Sequence, residues 1–143
     1  MVYSQKKDIE ASIYYPDNSL LKLIPYNYNT KSKSVEKAAN SVLEQIISKE
    51  VNINNVIRLI TPHKKSASAK VINNTCIINL SNEIIKDLPL SKEYQLLFIY
   101  QIVNSITSID GIDKVKFTIN GEESKISIGG INMKETFIPD YSV

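Results

Sequence analysis

The chain of 143 residues holds one histidine, His63, and one cysteine, Cys76, the two residue types most useful for metal binding or nucleophilic chemistry. A zinc site needs several nitrogen or sulfur ligands. One His and one Cys do not supply them at any suggestive spacing, so no metal is expected. His63 follows Pro62 and precedes Lys64-Lys65, the setting of a solvated loop histidine. Cys76 shares a strand face with Ile78 and Leu80, which points inward if the alternation holds. A thiol buried among aliphatics is inert. A nucleophilic one needs an activating base, and the only histidine lies in another segment. No catalytic residue is therefore expected, and a single cysteine excludes an intramolecular disulfide.

The carboxylates and glycines add no machinery. Glu122-Glu123 are adjacent strand residues, so their side chains point to opposite faces and cannot jointly flank a substrate. Gly129-Gly130 sits in neither a dinucleotide fingerprint nor a Walker loop, and no G-x-x-G loop of the RNA-binding KH type occurs. No cofactor is expected. Net charge is +2, and Arg58 is the only arginine. Specific phosphate and base recognition leans on the planar arginine fork, so no nucleic-acid partner is expected.

Binding surfaces are the remaining option. Lysines cluster at Lys31, Lys33 and Lys37 and again at Lys64 and Lys65, with Tyr26 and Tyr28 nearby in sequence. Charge runs are usually solvated. The alternative is a patch for cell-wall glycan or another small ligand, with these two tyrosines and the lysines as its clue. In the stretch after Ser91, Leu96, Ile99, Tyr100, Val103 and Ile106 form one helical face. Tyr94 and Phe98 then fall opposite, four residues apart, beside Gln101 and Ser105. A helix of a two-layer domain normally shows polar residues there. Two readings stand open: the pair binds a partner or second copy, or the first helix or the C-terminal tail covers it.

The elements that must position these residues follow from periodicity. Asp8–Tyr15 alternates as a half-buried strand. Pro16-Asp17-Asn18 is a turn, and Ser19–Ile24 is a second strand stopped by Pro25, with Tyr26–Lys33 a loop. Ser34 caps a helix carrying Val35, Ala38, Ala39, Val42, Leu43, Ile46 and Ile47 at helical spacing. After an irregular stretch, Ala67–Val71 and Thr75–Leu80 form a hairpin about Asn73-Asn74. A short helical turn ends near Asp87, and Ser91 caps a second long helix to about Ser108, closed by Gly111. Val115, Phe117 and Ile119 alternate into Asn120-Gly121, a strong hairpin signal, with Ile126 and Ile128 on the returning strand. In the tail, Ile131, Met133, Phe137 and Ile138 fold back onto the core. The result is an α+β two-layer sandwich, two helices on one face of a small sheet.

Residues 1–8 are polar, and the longest apolar run, Leu96–Val103, is too short to cross a bilayer. Any anchor of the native protein is expected to lie outside this chain.

The segments "IYYPDN", "CIINLS", "QIVNSIT", "GIDKVKFTINGE" and "ISIGG", in that order, resemble the successive signatures of the GerMN domain family, the GerM-like lipoproteins of sporulation and germination. The resemblance runs from about residue 9 to residue 138. It departs at Ser48–Asn55 and Ile60–Lys65, where the family carries a Gly/Pro-rich turn and an "IPEGT"-like stretch. It implies a fold like the ring-building motif and one domain over residues 1–143. The implied role is non-enzymatic assembly or localisation of a sporulation-channel or envelope complex, by contacts with other proteins or a second copy. The implied location is extracytoplasmic and membrane-anchored, in a spore-forming low-GC Gram-positive bacterium, which the richness in Ile, Asn and Lys fits. The family brings no catalytic residue with it.

Overall fold

The computed structural model describes residues 7–19 and 22–143. Its elements run β1 (Glu10–Pro16), β2 (Leu23–Asn29), α1 (Val35–Ile47), β3 (Ala67–Ile72), β4 (Thr75–Leu80), α2 (Asn82–Lys86), α3 (Lys92–Thr107), β5 (Lys114–Ile119), β6 (Ser127–Ile128) and β7 (Ile131–Asn132).

The central sheet has the order β3-β4-β5, antiparallel then parallel. Alternation puts Ala69, Cys76, Ile78, Leu80, Val115 and Phe117 on one face, all buried. α1 and α3 cover that face, α1 over β3 and α3 over β5. The opposite face is uncovered, and Ser68, Lys70, Lys114 and Lys116 stand exposed on it. The expected two-helix layer on a small sheet is thus the observed one.

α1 starts as its sequence requires. Ser34 is extended, and its hydroxyl accepts the Lys37 N–H at 3.4 Å. Ala38, Ala39, Val42, Leu43, Ile46 and Ile47 are buried. α3 is capped in the same way by Ser91.

The first hairpin differs from expectation. Its second strand runs through Pro25, as far as Asn29, instead of stopping there. Ser19 lies in the turn, and residues 20–21 of the expected strand lie outside the described residues. The hairpin's register explains the tolerance of proline. The Ser12 and Tyr14 N–H groups point away from β2, donating to Ser108 Oγ and Ser105 Oγ at 2.8 Å each. Pro25 pairs with Tyr14, so its missing N–H falls on the outer edge, where proline costs no ladder bond.

The Asn120-Gly121 turn forms with positive φ at both residues, 50° and 79°. The returning chain, however, makes only the Ile119–Glu122 bridge with β5. Ser127–Ile128 pairs instead with Ile131–Asn132. β5 is paired on one side by β4, and Phe137 bridges Val115 on the other through bonds of 2.8 and 2.9 Å. Met133 and Phe137 are buried as expected, while Ile138 is exposed.

Strand edges are closed by helix side chains. Asn40 of α1 donates to Ala69 O at 2.8 Å and accepts from Ala69 N at 2.9 Å. Glu36 Oε1 accepts the Val71 N–H at 2.8 Å. β3 and β1 therefore each meet a helix through polar side chains that saturate outward backbone groups.

Candidate functional site

The chemically capable residues occupy structural posts. Arg58 caps the C-terminal end of α1: its guanidinium donates to the carbonyl oxygens of Lys49, Ile47 and Ile46, the last two at 3.1 and 3.4 Å. Burial lowers its pKa, but guanidinium stays charged. A cation at this end complements the helix dipole. His63 belongs to the same junction and is not the solvated loop residue expected. Its N–H donates to Ile47 O at 2.8 Å, and Ser48 Oγ donates to its carbonyl at 2.9 Å. The loop folds back to close the helix end, which carries the ring inward.

Asp87, at the end of α2, gathers the other side of this junction. Its Oδ2 lies 2.8 Å from His63 Nε2 and accepts both the N–H and the hydroxyl of Thr61 at 2.7 Å. Partial burial pushes the Asp87 carboxyl upward, yet the bonds from His63 and Thr61 prevail and hold it below the usual aspartate value. Thr61 Oγ1 and Asp87 Oδ2 meet the same ring nitrogen, at 3.5 and 2.8 Å. A hydroxyl–imidazole–carboxylate relay uses both nitrogens, so this arrangement ties loop to helix. Cys76 is fully enclosed, and burial, with Glu36 adding, pushes its thiol up to about 12.

The alternative reading, a patch of Tyr26, Tyr28 and the lysines, is not drawn together into one groove. Lys64 and Lys65 line an open groove of about 410 Å³ with Asn40, Glu44, Ser48 and Lys49. Tyr26 packs edge-on against Tyr15, ring centres 5.6 Å apart. The Tyr28 hydroxyl is hydrogen-bonded to Ser41 Oγ at 2.7 Å. Neither tyrosine reaches the groove of the lysines.

The expected aromatic pair on α3 is split. Phe98 is fully buried in the core, which removes it from any surface. The helix is enclosed along most of its length because β1 lies along one flank while the central sheet takes the other. Gln101, Asn104 and Ser105, polar by type, are buried too. Ser105 holds β1, and Asn104 clamps the tail, donating to Asp140 O at 3.0 Å and accepting from Asp140 N at 2.9 Å. Alternation of polar and apolar residues on the sequence cannot reveal a helix enclosed on two sides.

Tyr94 is half-buried and lines a mostly apolar groove of about 570 Å³. Leu96, Leu97 and Glu93 line it too, with Lys22 and with Asp140, Ser142 and Val143 of the tail. Four residues earlier in the chain, ahead of the Ser91 cap, stands Leu90, 99% exposed. Leu90 carries no periodic signal in the sequence, because it falls between Pro89 and the Ser91 cap. Gln95 fixes this region, donating to Pro89 O and accepting from Gly129 N, both at 2.9 Å. Gly129 has φ 62°, and a Cβ there would lie 2.8 Å from Leu96 N, so only glycine fits.

Among the described residues no helix is long and apolar enough to cross a membrane, and no group of three or more His, Cys, Asp and Glu could hold a metal.

Comparison with solved structures shows the fold. The first GerMN domain of the sporulation protein GerM from Bacillus subtilis superposes with a TM-score of 0.66 at 20% identity, covering 94% of this chain and 98% of that one. A putative lipoprotein from Clostridium perfringens gives 0.62 at 20% identity, covering 96% and 92%. The tandem GerMN domains of the Bacillus subtilis protein give 0.64 at 22% identity over 92% of this chain, which spans 46% of that one. No curated protein matches. The family model described as "Germane: Sporulation and spore germination" matches residues 12–125, and the chain belongs to this family.

Proposed function

We propose that residues 1–143 form one GerMN-like domain, its core about 9–138, that acts without catalysis. It assembles or localises a sporulation or germination envelope complex from the extracytoplasmic side, held at the membrane by an anchor outside this chain. The partner is a protein of that complex or a second copy. The observation that carries this reading is the Tyr94 groove, an open and mostly apolar surface, with an exposed leucine four residues earlier in the chain, in a fold whose His and Cys serve structure. Exposed apolar surface of this kind marks interaction sites.

The test is capture of envelope proteins from sporulating cells by the wild-type chain and by Tyr94→Ala and Leu90→Ser variants. Loss of specific captured proteins in both variants, with stability within about 1 kcal/mol of the wild type, is the expected result. Sedimentation separates a second copy from a different protein. Unaltered capture by both variants overturns the reading.

The second reading, a glycan or small-ligand module, has the groove of Lys64 and Lys65 in its favour, where polar and apolar side chains mix. Saturable binding of wall glycan fragments, lost in Lys64→Ala/Lys65→Ala, would replace the first reading.

A further inference from the structure

The uncovered face of the central sheet carries an ordered charge pattern. The register aligns Lys70, Ile77 and Lys116 in one row across the three strands, and Ile72, Thr75 and Lys114 in the next. Strands lie about 4.8 Å apart and alternate side chains about 6.6 Å apart, so the stem of Lys116 rises roughly 7 Å from that of Lys114 and roughly 10 Å from that of Lys70, with Lys70 and Lys114 roughly 12 Å apart. Lys114 and Lys116 lie within the Debye length of about 8 Å at physiological salt and Lys70 beyond it, so the first two act jointly on a facing charge and Lys70 adds a separate contact. None of the three takes part in an ion pair among the described residues. The strands β3, β4 and β5 contain no Asp or Glu. Asp113 stands at one rim and Glu36, which accepts the Val71 N–H, at the β3 edge, so three lysines face two acids and the patch keeps a net positive charge. Ile72, at the β3–β4 tip, is 47% exposed beside Lys114 and Lys116, over a shallow hollow of about 450 Å³.

We infer that this face docks on an anionic membrane surface, Lys70, Lys114 and Lys116 meeting lipid phosphates and Ile72 entering the headgroup layer. The inference rests on the reading of the chain as a membrane-anchored extracytoplasmic module, which keeps the face within reach of a bilayer. Charge complementarity selects the occupant. The face offers lysines, compact charges that need no fixed partner geometry, and phosphodiester headgroups present diffuse negative charge at high density. An exposed isoleucine among lysines matches the interfacial pattern of apolar side chains at the acyl boundary with basic residues around them.

The experiment is co-sedimentation of the whole chain with vesicles of phosphatidylglycerol and phosphatidylcholine in roughly a 1:2 ratio, against pure phosphatidylcholine. Binding to the anionic vesicles alone is expected, lost when salt rises from about 0.05 to about 0.5 M. Each Lys→Gln change at 70, 114 or 116 should lower partitioning about fivefold. Ile72→Ser should lower vesicle binding but leave binding to soluble polyphosphate unchanged. Lys64→Gln/Lys65→Gln, on the other groove, should bind as the wild type does. Equal binding to neutral vesicles, wild-type binding by a variant with Gln at all three of positions 70, 114 and 116, or binding of polyphosphate with none to anionic vesicles would each overturn the proposal. Capture of protein partners through Tyr94 is scored separately, so failure of one does not imply failure of the other.

Discussion

The side-chain amide of Asn40 closes both backbone bonds of Ala69, accepting from its N–H at 2.9 Å and donating to its carbonyl at 2.8 Å. One amide thus does for the edge of β3 what a neighbouring strand would do, and joins it to α1. Asn40→Ala leaves a strand N–H and C=O without partners, at a cost of about 2 kcal/mol. Asn40→Asp restores the acceptor only and should recover part of the loss. Urea unfolding of the three proteins measures this; equal stability of wild type and Asn40→Ala would refute it.

Asn104 repeats the device on the tail at Asp140. Asn104→Leu removes both bonds inside the core and should free the chain from Pro139 onward. Hydrogen exchange in residues 139–143 should rise sharply, with about 1–3 kcal/mol of global stability lost. Unchanged exchange there would contradict the clamp.

Phe98 and Tyr94 should behave as different kinds of residue. Phe98→Ala opens a cavity in the core and should cost about 3–5 kcal/mol. Tyr94→Ala, at a groove, should cost about 1 kcal/mol or less while reducing partner capture. Thermal melts of both variants give the comparison, and an equal loss of stability would contradict the separation.

Asp87 makes stability depend on pH in a stated direction. Its folded pKa lies below the ordinary value of 3.8. The group therefore adds stability that is fully present above 3.8 and is lost as pH falls through the lowered folded value. Asp87→Asn should flatten the fall of stability between about pH 5 and pH 2. An identical pH profile in the variant would exclude this source.

Cys76, pushed up to about 12 and fully enclosed, should resist thiol reagents near pH 8 in the folded protein and react once denaturant exposes it. Rapid labelling of the native chain would show the core to be open at β4.

Local rules made most elements legible. Ser34 and Ser91 announce their helices, Asn73 and Asn120 their turns, and the alternation of Cys76, Ile78 and Leu80 the buried face. Failures arose where tertiary partners decide. Pro25 fits a strand because its outer edge needs no donor, a fact of register that no local window contains. Ile126 and Ile128 alternate as a returning strand should, yet β5 takes β4 and Phe137 as partners and turns them away. For the site, Tyr94 and Phe98 share spacing and type, and only the second layer on α3 tells them apart. Leu90 had no periodicity to mark it, and the lysine rows on the open face exist only once β4 and β5 are known to run parallel.

The closed edges of β1, β3 and β5 have a consequence for life at high density. Copies held at high concentration collide often, and bare strand edges would let their sheets merge. With Ser105, Ser108, Asn40, Glu36 and Phe137 already occupying outward backbone groups, and Pro25 interrupting β2, collisions find little to zip onto. Crowded molecules of this fold can therefore be packed side by side and still separate.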